Sequence, residues 1–322
     1  MGEAEYTRPE VERPAARPPD EAAPQVVVVG SASRDIAAED PRGWRLGGGV
    51  TYGALTTARL GLRTAALIGA DPEAARAWEL DLLREAGVDL VVAHLPRGPV
   101  FENREQPGGR VQLCLEPGVP LGAAELPTTW RAAGAWLLGP VASELPDEWA
   151  TIPRPDACVA FGWQGILRHL AAGQRVRPIA PAPSPLLLRA DLIGVSRHDL
   201  LHDLPVPVVC RWLGRDDDLL LTCGDEGGLL ITLGEHRIQR LVRYPPVAAA
   251  ADVDPTGAGD VMLAAVLVAR VAGGDAARAG GRDLHLGAAA ASLVVERPGL
   301  LGVPTLAQVR ERLASGAGSR AA

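Results

Sequence analysis

The sequence predicts an α/β fold: a doubly wound, mostly parallel sheet with helices on both faces. Three observations carry the prediction. Residues 25–29 end in four consecutive valines before Gly30, a run without the alternation of a half-exposed strand, as a strand buried on both faces requires. Strand-like and helix-like segments then alternate as β-α-β-α-β up to residue 93, the order of a parallel sheet wound by crossover helices. Late in the chain, residues 251–260 read as loop, glycine turn and helix N-terminus, and no charge follows until Arg270, a length suited to a buried helix.

The elements follow in order. Residues 1–24 are rich in Pro, Glu, Arg and Ala with no apolar period, and are read as a disordered tail. Residues 25–315 are read as one domain and 316–322 as a frayed tail. The turn after the first strand, Gly30-Ser31-Ala32-Ser33-Arg34-Asp35, lacks the second and third glycines of a dinucleotide loop. Gly47-Gly48-Gly49 opens a close-packed helix over 50–60, stopped by Gly61. Residues 63–69 are a strand, 72–87 an amphipathic helix and 88–93 a third strand. Residues 100–104 and 110–115 flank Gln106-Pro107-Gly108-Gly109, a hairpin that no helix covers in sequence, hence a projecting β flap. Strands are expected over 135–138, 157–161 and 191–195, with a short helix over 145–150 and a weaker strand candidate over 206–210. Residues 219–222, a glycine turn and 229–233 suggest a late hairpin. Helices are expected over 282–296 and 305–315. No internal repeat is found.

Composition bounds the function. The chain has 322 residues, net charge -7 and a hydrophobic fraction of 47%, enough for a large core and unsuited to a nucleic-acid surface. All 32 of its Lys and Arg residues are Arg. A Walker A lysine, a Schiff-base lysine and a lysine general base are therefore excluded. Cys114, Cys158, Cys210 and Cys223 form no CxxC pair and read as reduced thiols of a cytoplasmic protein. No apolar run is long enough to span a bilayer, and the first residues lack a signal-peptide core.

The chemistry concentrates at Asp254-Pro255-Thr256-Gly257-Ala258-Gly259-Asp260. Pro255 bars a helix through itself and pushes Asp254 towards an extended shape. Gly257, Ala258 and Gly259 let a ligand approach the backbone. The free N–H groups and dipole of the following helix then make an anion site. Asp260 beside that site weakens plain anion binding, and a general base next to a transferring phosphoryl group would account for it. A helix N-cap is the competing reading of Asp260. Asp254 reads equally as a turn residue and as a metal or water contact. Asp35, past the carboxyl end of the first strand, lies where open α/β sheets bind ligands, or is a solvated turn aspartate. His198 and His202, with Asp199 and Asp203, superficially suggest a metal site; a solvated helix face is the favoured reading. The seven tryptophans read as core or lid residues.

These pieces, in this order, resemble the ribokinase-like (PfkB) carbohydrate kinase family over roughly residues 25–310. Asp254 to Asp260, with the apolar run after it, matches the family's C-terminal signature at every specified position. Gly47-Gly48 with the helix after it resembles its N-terminal glycine motif, and Asp35 falls at its substrate aspartate. Thr222, Gly224 and Gly227 resemble the turn that lines the nucleotide, to which Asp254 and Thr256 would contribute.

The resemblance implies a β lid from residues near 32–46 and 97–116, ATP and Mg²⁺, and phosphorylation of a sugar, polyol or nucleoside hydroxyl. Asp260 would be the base and Gly257, Ala258 and Gly259 the anion hole. Asp35, Gly47, Gly48, Tyr52, Asn103 and Arg104 would meet the substrate, although an exposed arginine is the plainer reading of Arg104. A homodimer through the lid follows by analogy alone.

Two departures stand out. Tyr52 occupies a position where the family often has Asn. Ser196-Arg197-His198-Asp199 matches the metal-linked Asn-x-x-Glu motif only loosely, so Asp199 would reach a metal indirectly, through water or phosphate. Gly49-Val50-Thr51-Tyr52, Phe101-x-Asn103-Arg104 and Val253 to Thr256 look most like the inositol-kinase-like branch. The alternatives are a ligand-binding or regulatory protein on the same fold, and a kinase for a nucleoside or vitamin-precursor alcohol.

Overall fold

The structure is a computed structural model that describes residues 23–106, 109–201, 204–214, 216–234, 237–279 and 281–318. The expected tails therefore lie largely outside the described residues, as do Pro107, Gly108, His202 and Asp203. The first strand, β1 (Val26–Ser31), is buried along its whole length and is the spine of the molecule. Val26 and Val28 enter one hydrophobic core while Val27 and Val29 enter the other, because successive strand side chains point to opposite faces.

Around it the chain lays down β2 (Ser33–Ile36), β3 (Trp44–Gly47), α1 (Gly49–Arg59), β4 (Thr64–Ala70), α2 (Glu79–Glu85), β5 (Asp89–His94), β6 (Pro99–Gln106) and β7 (Gly109–Pro117). Then come β8 (Ala135–Leu138), β9 (Cys158–Gly162), the two-residue strands β10 (Arg168–His169), β11 (Gln174–Arg175) and β12 (Arg177–Pro178), α3 (Pro185–Arg189), β13 (Leu192–Ser196) and α4 (Val206–Val209). The chain closes with β14 (Asp218–Thr222), β15 (Gly228–Gly234), β16 (Arg237–Tyr244), α5 (Ala258–Ala279), α6 (Arg282–Val294) and α7 (Leu306–Gly318).

Nine strands form the central sheet in the order β16-β15-β14-β13-β9-β8-β1-β4-β5. From β14 to β5 every pairing is parallel; β15 and β16 add an antiparallel edge. Helices α1, α5 and α6 cover one face. The other face carries the large aromatics Trp130, Trp136, Trp149, Phe161 and Trp163, all buried. Five of the seven tryptophans lie in or against this core; Trp44 is in β3 and Trp78 is exposed.

A second sheet, in the order β11-β7-β6-β2-β3, joins strands from the two segments expected to form a lid with β11, which was not expected. Only Ala32 separates β1 from β2, so this sheet springs directly from the carboxyl end of the central strand. An arginine cluster ties it to the main body. Arg34 pairs with Asp71, Arg42 pairs with the buried Glu79, and both guanidiniums lie over the Trp44 ring. The Leu46 N–H also donates to Glu79.

Three expectations need correction. The helix expected over 72–87 is split: Asp71 Oδ1 accepts from the N–H groups of Glu73 and Ala74 and starts a 3-10 turn, Ala74–Arg76. Ala77 then turns extended before α2 begins. The strand candidate over 206–210 is the short helix α4, because prolines at 205 and 207 suit a first helical turn and cannot donate to a central strand. The segment 145–150 supplies only a 3-10 turn, Asp147–Ala150. Strand β16 was missed; four of its eight residues are arginine or glutamine, which mask the alternation of an edge strand. All four cysteines are free, with Cys114 buried and the others half-buried.

Candidate active site at the carboxyl ends of the strands

Asp260 is the third residue of α5, and its carboxylate faces the first turn of α1. A Cβ on Gly49 would come 2.9 Å from Asp260 Oδ1 and 3.3 Å from the Gly139 carbonyl, so only glycine lets α1 start here. Gly139 follows β8 and donates its N–H to Val29 of β1. The acid therefore sits over the ends of β1 and β8, where a doubly wound sheet opens a crevice. Among the described residues no hydrogen bond uses the Asp260 carboxylate, so it does not cap its own helix.

Protein crowds Asp260 while leaving its side chain partly open to solvent. Burial pushes its pKa up to about 6; Arg168 pulls it down, and Asp199 and Asp35 push it up. Arg168 is a residue that sequence reasoning missed. It lies in β10, past a 3-10 turn (Trp163–Ile166), and its Nη2 is 3.4 Å from Asp199 Oδ1. Gln164 Nε2 donates to the same oxygen at 2.8 Å. Burial lowers the Arg168 pKa, while Asp199, Asp260 and Asp35 raise it. One guanidinium thus serves three carboxylates, and it remains charged.

Asp35 lies in β2 with Ser33 Oγ donating to its Oδ1 at 2.9 Å. A Cβ on Gly47 would come 2.2 Å from Asp35 Oδ2, so the glycine at the end of β3 clears the space that the carboxylate occupies. Gly48 follows as the residue before α1, at φ 99.

Gly257 turns at φ 81, and a Cβ there would come 2.4 Å from the Tyr52 ring. Tyr52 is buried, at 2% exposure. It underlies the turn and does not line an open surface, which places it away from the direct substrate contact expected of it. Burial raises its phenol pKa well above the usual value, and Asp254, Asp35 and Asp260 add to the rise. A Cβ on Gly259 would meet nothing within 4 Å, so space for a ligand lies in front of the turn.

Asp254 braces the turn. Its Oδ1 accepts from the Thr256 N–H and its Oδ2 from the Gly299 N–H, both at 3.0 Å, with Arg45 Nη1 at 3.6 Å. Thr222 ends β14 beside Ser196 of β13, and Gly224 and Gly227 take positive φ in the following turn. Asn103 accepts from Gln112 across β6 and β7, while the exposed Arg104 pairs with Glu102 at 2.8 Å. A second missed residue is the fully buried Glu144. It accepts from the N–H groups of Ser31, Val141 and Ala142 and so clamps the end of β1.

The anion turn, with space before Gly259 and a buried guanidinium near Asp260, fits polyphosphate. Magnesium fits the protein side less well. Asp199 is engaged by Arg168 and Gln164, and no group of three or more His, Cys, Asp or Glu among the described residues is placed to hold an ion. No described helix is long and apolar enough to cross a membrane.

Comparison with known proteins points the same way. Residues 212–306 match the model of the pfkB family carbohydrate kinases. A nucleoside kinase of Methanocaldococcus jannaschii is 38% identical over 103 residues, 32% of this chain and 31% of that protein's length. A pyrophosphate-dependent kinase in the ribokinase family, solved with a pyrophosphate analog and myo-inositol, superposes with a TM-score of 0.65 at 19% identity over 87% of this chain and 100% of the other. Arabidopsis thaliana ribokinase, solved with ribose and ATP, gives 0.64 at 22% identity over 90% and 99%. Residues 212–306 thus resemble the pfkB family carbohydrate kinases, and the chain has the fold shared by ribokinase-family structures.

Proposed function

We propose that the protein transfers the γ-phosphoryl group of ATP to a hydroxyl of a sugar or polyol. The observation that carries this reading is the Asp260 carboxylate, raised to a pKa of about 6 and unused by its own helix, beside a glycine turn with open space before Gly259. In the transfer, the acceptor oxygen forms a bond to phosphorus as the bond to the ADP oxygen breaks, and Asp260 takes the hydroxyl proton. A base with that pKa is mostly ionised at neutral pH and well matched to the task. The N–H groups of Gly257, Ala258 and Gly259 and the Arg168 guanidinium meet the equatorial oxygens, where charge accumulates in a loose transition state. Asp35 orients the acceptor by accepting from a second hydroxyl. The second sheet closes over the pair and keeps water from competing.

Magnesium, when present, would neutralise phosphate charge, held by phosphate and water more than by Asp199. A cytoplasmic setting suits free thiols and nucleotide chemistry, and a dimer through the second sheet remains part of the proposal. A nucleoside acceptor is the second reading, favoured by the 38% identical stretch of a nucleoside kinase.

The test is ADP release over a panel of sugars, myo-inositol and nucleosides, with pyrophosphate as a second donor. Asp260→Asn should lose roughly 10²–10⁴-fold in turnover while still binding nucleotide. Equal turnover by the variant removes Asp260 as the base. Silence across the panel with ligand binding intact favours a binding protein on the same fold.

A further inference from the structure

Away from the cleft, the molecule holds a cavity of about 270 Å³ between the last turn of α1, the segment joining α6 to α7, and the first turn of α7. Its chemistry is unbalanced. Arg59, the last residue of α1, and Arg297 both line it. Arg59 donates to the Val303 carbonyl, a neutral partner. Arg297 makes no ion pair or hydrogen bond through its side chain with any described residue. Glu296 also lines the cavity, but its carboxylate is taken by Arg312 at 2.7 Å and by the Ala250 N–H at 2.6 Å. The Arg59 pKa is lowered by burial and then by Arg297, and Glu85 of α2 opposes this less strongly. Two guanidiniums therefore repel one another across a space whose one acidic lining residue, Glu296, is already paired with Arg312, while Leu293, Leu301 and Val303 supply an apolar wall.

We propose that this cavity is a regulatory site for a small phosphorylated metabolite, its phosphate held between Arg59 and Arg297 and its short carbon skeleton on the apolar wall. The volume sits just under the usual range for ligand pockets and suits a molecule of a few carbons.

Its walls are also the braces of the anion turn. The Val295 carbonyl accepts from the N–H groups of Val253 at 2.8 Å and Asp254 at 3.0 Å, Glu296 holds Ala250, and Gly299 donates to Asp254. At the far side, α1 runs from the cavity to Gly49 beside Asp260, about 15 Å along its axis. A ligand that draws Arg297 inwards shifts residues 295–299, and with them the segment that sets the Gly257 turn. The regulatory half of the proposal rests on the kinase reading; the binding half does not.

The probe is inorganic phosphate, followed by hydrogen exchange of the full chain. Phosphate should slow exchange across residues 293–305 and at the amides of Val253 and Asp254. Arg297→Glu, at an exposed position that should not disturb folding, should weaken that protection about tenfold or more, as loss and reversal of a charge-assisted contact requires. Arg59→Gln should weaken it in the same direction. Both variants should keep any protection at residues 257–260, where phosphate occupies the anion turn. Protection confined to 257–260, or equally strong at 293–305 in Arg297→Glu, overturns the site, as does no protection at 293–305 at any phosphate concentration. None of these readouts needs turnover. A chain that phosphorylates nothing yet protects 293–305 refutes the kinase reading alone, and the reverse result refutes the cavity alone.

Discussion

Replacing Arg168 by Gln isolates the electrostatic argument for Asp260. The substitution keeps a polar side chain of similar reach and removes one positive charge. Arg168 is the group that holds the Asp260 pKa down against burial, Asp199 and Asp35. Without it the charged carboxylate is less favoured, so the pKa rises. Two unit charges 6–10 Å apart at an effective dielectric near 20 interact by roughly 2–3 kcal/mol. At 1.36 kcal/mol per pKa unit this is about one to two units.

Starting from about 6, Asp260 is roughly nine-tenths ionised at neutral pH, and in the variant about half to one-tenth ionised. Protonation alone then costs about two- to tenfold at neutral pH, and the cost shrinks as pH rises. Loss of a positive charge against phosphate adds a further loss that does not depend on this titration. The assay is kcat/KM from about pH 5 to about pH 9 for both proteins. The acid limb should move to higher pH in the variant, with a lower plateau. An acid limb that stays in place, or moves to lower pH, refutes the pairing of Arg168 with Asp260.

Two further outcomes follow from the geometry. Gly257→Ala combines a positive φ with a Cβ 2.4 Å from the Tyr52 ring, so it should cost about 1–3 kcal/mol of stability and raise KM for the phosphoryl donor; thermal melts and donor titrations check this. Arg270→Met leaves Asp218 and Asp283, both at most 1% exposed, without the guanidinium that bridges them at 2.8 and 3.1 Å, and should cost about 3–5 kcal/mol in urea unfolding, whereas a loss below about 1 kcal/mol would mean the bridge is not a net tie between β14, α5 and α6.

What could be read from the residues alone divides along local and non-local lines. The turn at 257–260 was legible because proline, glycines and the carboxylate are consecutive and each constrains its own backbone. The valines of β1 and the alternation after them carried the sheet. Arg168 was not legible, because nothing in its neighbourhood distinguishes one arginine among 32; its role comes from a turn after β9 that folds it back over the crevice. Tyr52 was picked out by position, but its direction depends on how α1 crosses α5, and that crossing turns the ring under Gly257. Asp254 could be a ligand or a brace until Gly299, 45 residues away, was seen to donate to it. The segment over 206–210 misled because valine-rich composition outweighed the two prolines that govern its backbone.

The charge balance of the crevice also constrains the acceptor. Asp35, Asp199 and Asp260 converge around Arg168, and the anion turn and Arg168 are the parts a donor phosphate would use. A second phosphate, carried by the acceptor, would need another cation. Among the described residues, the arginines of β2, β3, β6 and the β2–β3 turn are already engaged: Arg34 by Asp71 and Glu73, Arg42 by Asp40 and Glu79, Arg45 by Glu39, Arg104 by Glu102; Arg175 of β11 is exposed. Bringing a like charge to about 6 Å from Asp35 at an effective dielectric near 20 costs roughly 3 kcal/mol, about a hundredfold in kcat/KM. Neutral polyols or sugars should therefore outperform their phosphate monoesters by about that factor, and the gap should narrow with added salt. A phosphorylated acceptor that turns over as well as its neutral parent would show that one of those arginines leaves its carboxylate, or that Arg175 reaches the acceptor, when the second sheet closes.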